Sequence, residues 1–225
     1  RLNSICDSGG AYKSVCKMAV QDFNKPYHLK TDAFYIDIYP VSYSEYKDYC
    51  GPSGCGLAYF EKVMSEIGIS EYKNYPMTGI TYSEAKAYCS SKGKRLPSSK
   101  EYEILMYDGS VYPWGKADSL NVSSDKPMPI GYSDADSNKW GVHDIYGNVM
   151  EWTSSDLCTP TPTSDFLNCK VFNEEVVERH VRGAKFNDPK AALLLLLTRD
   201  RSPETRDIGL GFRCAMDCEH GDNVK

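Results

Sequence analysis

The sequence lacks any apolar run near the roughly 18 residues that a membrane-spanning helix needs. Its longest leucine run, from Leu193 to Leu197, has five. Basic residues are not in excess either. Lys and Arg total 26 against 31 Asp and Glu, and a net charge of −5 gives no electrostatic reason to expect a nucleic-acid partner. No CxxC pair occurs, and the four histidines are isolated, which argues against a zinc site. There is no GxSxG motif, and His28, His143, His180 and His220 sit in no nucleophile pattern, so a Ser/His/Asp hydrolase is unsupported. No internal repeat, linker or low-complexity segment divides the chain. The expectation is one domain over residues 1–225, with 1–30 an irregular N-terminal segment. The first residue is Arg1 rather than Met, so a processed chain is expected, with any signal peptide or lipid anchor outside this sequence.

What is present begins with nine cysteines. Most are spaced locally: Cys6 with Cys16, Cys50 with Cys55, Cys158 with Cys169, and Cys214 with Cys218. Such pairs can close small loops as disulfides, which implies an oxidising compartment; scattered thiols are the alternative. The best pair is Cys50-Gly-Pro-Ser-Gly-Cys55, because turn residues bring its ends together.

The first half of the chain reads as helical. Phe34 to Tyr39 alternates and is rich in aromatic and β-branched residues, which predicts a strand. Three capping boxes follow, Ser42 to Glu45, Thr81 to Glu84 and Ser98 to Glu101, and each predicts a helix start. The inner faces are Ala85, Tyr88 and Cys89 after the second box, and Tyr102, Leu105 and Met106 after the third. Another helical pattern runs from Leu57 to Ile67, with Phe60, Val63, Met64 and Ile67 on one face. After Tyr112 turn residues recur every few positions, which predicts loops and short strands. Helices first and short strands afterwards predict an α+β fold, loop-rich, with two to four helices.

Several segments, in order, resemble one family. They are Pro76 to Cys89, Gly93-Lys-Arg-Leu-Pro97, Tyr112-Pro-Trp-Gly115, Trp140 to Thr153, Val181-Arg-Gly183 and Gly211-Phe-Arg213. The set resembles the formylglycine-generating-enzyme (sulfatase-modifying-factor) family from about Phe34 to Asp217. Its most specific part is GNVxEWT together with a terminal GFR. The resemblance implies a C-type-lectin-like fold of the formylglycine type. It also implies a pair of copper(I)-binding cysteines after an RGG-like turn. Carried over, those positions fall at about Asp188 and Leu193, and no cysteine lies between Cys169 and Cys214. A carboxylate and an alkyl chain cannot hold copper(I), which needs soft thiolates. The turn itself is altered, to Gly183-Ala-Lys-Phe186. The resemblance further implies a calcium site with side chains from Asp144 and Glu151 and carbonyls from Gly147 and Val149; a hydrogen-bonded turn without metal is the alternative. No other cofactor is required.

Variable proteins of diversity-generating retroelements are similar too. They vary the stretch between an RGG-like turn and a terminal GFR, here Ala184 to Leu210. Loops on a rigid scaffold can change composition without unfolding it. The expected binding surface is Lys185, Phe186, Asn187, Asp188, Lys190, Leu193, Leu195, Leu197, Arg199, Arg201, Glu204, Arg206 and Asp207. Leucines beside mixed charges suit a protein-binding patch, whereas a buried central strand gives the same apolar run. The function expected is a non-catalytic ligand binder for a protein or other macromolecule, bacterial and surface-exposed or exported. The alternatives are an enzyme of the family and a structural envelope component.

Overall fold

The computed structural model describes residues 31–106, 120, 122, 124–156, 178–188 and 199–218. Its elements are β1 (Phe34–Ile36), α1 (Tyr43–Cys50), α2 (Leu57–Glu66), α3 (Tyr82–Ser91) and α4 (Ser99–Met106). Then come β2 (Met150–Asp156), β3 (Arg179–Arg182), β4 (Arg199–Arg201), β5 (Leu210–Gly211) and β6 (Ala215–Asp217). The α+β expectation holds, helices first and short strands after. Among the described residues no helix is long and apolar enough to cross a membrane.

The helix starts follow from local chemistry. The Ser42 hydroxyl accepts from the Glu45 N–H while the Glu45 carboxylate accepts from the Ser42 N–H, and Thr81 and Glu84 do the same. Ser98 and Glu101 repeat the exchange at 3.1 and 2.7 Å. Each box satisfies two N–H groups that a helix start otherwise leaves open. The predicted inner faces of α3 and α4 are buried. On α2 the buried face is Leu57, Phe60 and Met64, while Val63 and Ile67 are half-buried.

The described residues hold two sheets. β1 pairs antiparallel with β6, tying the start of the described fold to its end. The other sheet has the order β4-β3-β2-β5, with β2 and β5 parallel and the remaining pairs antiparallel. The family-like motifs sit where these pieces meet. Trp152 is fully buried on β2 and donates its Nε1–H to the Ile80 carbonyl. The Asn148 side chain holds the Met128 backbone through both its oxygen and its nitrogen. A side chain at Gly211 would put its Cβ 2.8 Å from the Met77 carbonyl, so only glycine permits that approach. Phe212 fills the core, and Arg213 is fully buried against Glu151.

The Arg213 guanidinium donates to both Glu151 oxygens at 2.8 Å. It also reaches the carbonyls of Asp37, Ile38, His143 and Asp144. One side chain thus joins β2, the chain after β1 and the turn before β2. A second buried pair, Arg182 with Glu103 at 2.6 Å, joins β3 to α4.

Cys50 and Cys55 are bonded to each other, as expected. Cys214 is not paired with Cys218. It is bonded to Cys89 on α3, 125 residues away, and Cys218 is a free thiol. The reason is β6, which lies between Cys214 and Cys218. A strand advances about 3.3 Å per residue, so four residues span roughly 13 Å, beyond disulfide reach. The Cys6/Cys16 and Cys158/Cys169 pairs lie outside the described residues.

Two predictions follow from these contacts. Glu151→Ala or Arg213→Ala alone strands a buried charge and should cost about 3–5 kcal/mol in urea denaturation, while Glu151→Leu with Arg213→Met should recover most of the loss. Peptide mapping without reduction should find Cys50 linked to Cys55 and Cys89 to Cys214. Removing the Cys89–Cys214 link should cost roughly 4–5 kcal/mol, and removing the small Cys50–Cys55 loop distinctly less.

Candidate functional site

The stretch after Gly183 leaves β3 through a turn with Gly183 at φ +81°, a backbone region that favours glycine. The next residues fold back onto the scaffold. Phe186 is 4% exposed and lies in the core, not on the surface expected of it. Its N–H donates to the Asn148 carbonyl and its own carbonyl accepts from Ser124 N–H. Backbone bonds on both sides pull the ring inward. Asp188 is also buried, at 7%. Its Oδ2 accepts from the Lys185 N–H at 2.9 Å and pairs with Arg199 at 2.8 Å.

Most of the described charges in the stretch are likewise committed to partners. Lys185 pairs with Asp207 at 3.2 Å, and Asp207 also accepts from the Gly209 N–H. Arg206 makes a two-pronged pair with Glu84 at 2.8 Å and donates to the Gly79 carbonyl. Burial works against the Glu84 carboxylate, but hydrogen bonds from Arg206 and Thr81 outweigh it and hold it below the usual range. Backbone bonds complete the attachment: Gly79 N–H donates to the Asp207 carbonyl and Tyr82 N–H to that of Pro203. Asn187, Glu204 and Arg206 face solvent, and Lys185, Arg199, Arg201 and Asp207 are half-buried. Lys190, Leu193, Leu195 and Leu197 lie outside the described residues, so the leucine run is not placed on either side of its two readings.

The structure adds residues that sequence reasoning missed. Glu84 and Tyr59 come from the helical half, and Tyr59 donates to the Arg206 carbonyl at 3.4 Å. Arg179 on β3 packs its guanidinium over Tyr82, 4.6 Å from the ring centroid. His180 is buried behind Asp200, with Nε2 3.4 Å from the carboxylate. Burial, with Arg182 nearby, pushes its pKa down to about 4, so the imidazole is neutral at ordinary pH. Glu84 carried a local signal, as the partner of a capping box. The others are brought here by chain packing, for which the sequence holds no marker.

The turn before β2 brings Asp144 and Glu151 to one region but does not fit calcium. Both Glu151 oxygens are taken by Arg213, and the Gly147 carbonyl accepts from the Val149 N–H. Asp144 accepts from Gly131 N–H. Among the described residues no group of three His, Cys, Asp or Glu side chains is placed to hold a metal. The turn is instead held by Asp136, whose carboxylate accepts from Tyr146 and Gly147 N–H at 2.9 and 3.1 Å. Burial and the neighbouring Asp144 push the Asp136 pKa up to about 7, against the pull of those two N–H groups. Burial also raises Asp144 and Glu151, opposed in both by the Arg213 charge. His143 stacks on Tyr39 with centroids 5.0 Å apart, a packing role.

The split between buried and outward residues predicts unequal costs. Phe186→Ala should destabilise by about 3–5 kcal/mol, as for a core aromatic. Asn187→Ala and Glu204→Ala should stay within about 0.5 kcal/mol. Equilibrium denaturation of the three variants checks this.

With the geometry in hand, known proteins place the chain. The family model for the sulfatase-modifying factor enzyme 1-like domain matches residues 8–218. The inactive C-alpha-formylglycine-generating enzyme 2 of Bos taurus is 29% identical over 171 residues, covering 66% of this chain and 52% of that protein. The formylglycine-generating enzyme of Mus musculus is 25% identical over 261 residues, covering 88% and 70%. The chain thus spans about half the length of the bovine relative. Among solved structures, Treponema denticola variable protein 1 superposes with a TM-score of 0.64 at 15% identity, covering 88% of this chain and 89% of that one. PvdO from Pseudomonas aeruginosa gives 0.59 at 22% identity, covering 86% and 85%. The fold is therefore the formylglycine-enzyme type of C-type-lectin-like domain, and the chain belongs to the sulfatase-modifying factor enzyme 1-like family.

Proposed function

We propose that this chain is a non-catalytic binding domain that presents the stretch between Gly183 and Leu210 to a protein or other macromolecular partner. The carrying observation is at Asp188. The family resemblance places a copper-binding thiol there, and this chain has a carboxylate already engaged by Arg199 and by the Lys185 N–H. The residues present do not fit copper(I). A hard oxygen donor tied to a guanidinium is a poor ligand for a soft ion, and no cysteine lies between Cys169 and Cys214.

The way the stretch is attached supports binding. Arg206, Asp207 and the Pro203 carbonyl fix the loop to Glu84, Gly79 and Tyr82, which belong to the helical scaffold. Asn187, Arg201 and Glu204 are left directed outward or half-exposed between these anchor points. Such a loop can vary at its outward positions while its anchors keep the fold. The similarity in fold to a protein called variable protein 1 agrees with the narrower reading, a variable protein of a diversity-generating retroelement. The two disulfides among the described residues fit an exported or cell-surface protein, since such bonds persist in oxidising compartments.

The test has two arms. The purified protein, given copper(I) and a sulfatase-derived cysteine peptide, should show no conversion to formylglycine by mass spectrometry; robust turnover ends the non-catalytic reading. For the narrower reading, the locus should hold a reverse-transcriptase gene and a near copy of the 3′ end of the coding sequence, differing at adenines. A locus with neither removes the retroelement assignment and leaves the binding role standing.

A further inference from the structure

A cavity of 710 Å³ opens between the chain after β1, the helices α1 and α3, and the disulfide at Cys214. None of its lining residues belongs to the 184–210 stretch, so it is separate from the surface proposed above. Its size suits a small organic ligand. Ile36, Ile38, Tyr39 and Ile130 supply apolar wall, and Ile38 and Tyr39 are exposed, at 52% and 40%.

The polar groups of the cavity are unevenly spent. Lys94 is paired with Asp37. Glu45 uses one oxygen, Oε2, on Ser42. Among the described residues Asp48 has no hydrogen-bond or ion-pair partner, and Lys92 has only the Tyr88 ring, 5.6 Å from its Nζ. Tyr88 is 5% exposed, its ring packed by Tyr46, Tyr49 and Phe212. Among the described residues its hydroxyl has no hydrogen-bond partner, and the residue lines the cavity. Burial pushes the phenol up to about 12, and the negative charges of Glu45, Asp37 and Asp48 add to the rise. The hydroxyl oxygen itself is open to the cavity and available to a ligand there.

The unspent groups carry both signs. A simple cation would leave Lys92 unanswered and repelling. A simple anion would meet Asp48 and Glu45. We propose that this cavity binds a zwitterion with an apolar body, a short apolar peptide with both ends free. Its ammonium meets Asp48, Glu45 and the Tyr88 hydroxyl, its carboxylate meets Lys92, and its side chains lie on Ile38, Tyr39 and Ile130.

Isothermal titration calorimetry of the full chain with the dipeptide leucyl-phenylalanine, its N-acetyl derivative and its C-terminal amide tests this. The free dipeptide should bind saturably, and each blocked derivative at least about tenfold more weakly. Asp48→Asn, Lys92→Ala and Tyr88→Phe should each weaken binding severalfold, with thermal melts confirming that the variants fold. Absence of saturable binding overturns the proposal. So does an amide that binds as well as the free peptide, which marks a cation site, or an equally tight acetylated form, which marks an anion site. Binding unchanged in folded Asp48→Asn and Lys92→Ala places the peptide elsewhere and overturns it too. The failure would leave the 184–210 surface untouched, because the two share no residue.

Discussion

The buried pair of Arg213 and Glu151 is the constraint on which the rest of this structure leans. Two charges taken fully out of water are costly, and only complete pairing makes them tolerable. Here the guanidinium spends its donors on a carboxylate of β2 and on carbonyls from the turn before β2 and the chain after β1. The chain after β1 is far in sequence from β2 and its turn, and strands this short are not stable sheets on their own. The pair also makes Glu151 a poor fit for calcium, because its charge is already balanced inside the core.

Around that centre the molecule divides its labour. The helical half, opened by three capping boxes, provides packing and a set of fixed acceptors and donors. The later stretch is attached to it at a few points, chiefly Glu84 with Arg206 and the Gly79 and Tyr82 backbone. Asp188 stands at about the place where the family resemblance puts a copper-binding thiol. The position still faces inward, but a carboxylate paired with Arg199 makes a structural brace there. Without thiols at those positions, the proposed role of the scaffold is to display a surface.

The disulfides fit the same division. Cys50–Cys55 closes a local turn, whereas Cys89–Cys214 joins α3 to the segment that carries Arg213. The second link reinforces the contact between the helical half and the closing strands, where short elements have little pairing of their own. Such bonds persist in oxidising compartments, which is why they support the proposed export.

Much of this was legible in the residues. Capping boxes at Ser42, Thr81 and Ser98 depend on groups three positions apart, so sequence alone determined those helix starts. The Cys50–Cys55 link was readable for the same reason, and the family motifs marked the fold in order. Tertiary structure decided what depends on distant neighbours. Phe186 looked like a surface anchor, yet backbone bonds to Asn148 and Ser124 draw it into the core. Cys214 had a near neighbour at Cys218, but β6 holds them apart and brings Cys89 close instead. Asp136, ten residues before the Tyr146 N–H it caps, carried no local sign of that role. Local hydrogen bonds are written in residue spacing, whereas burial and pairing depend on which surfaces the folded chain brings together.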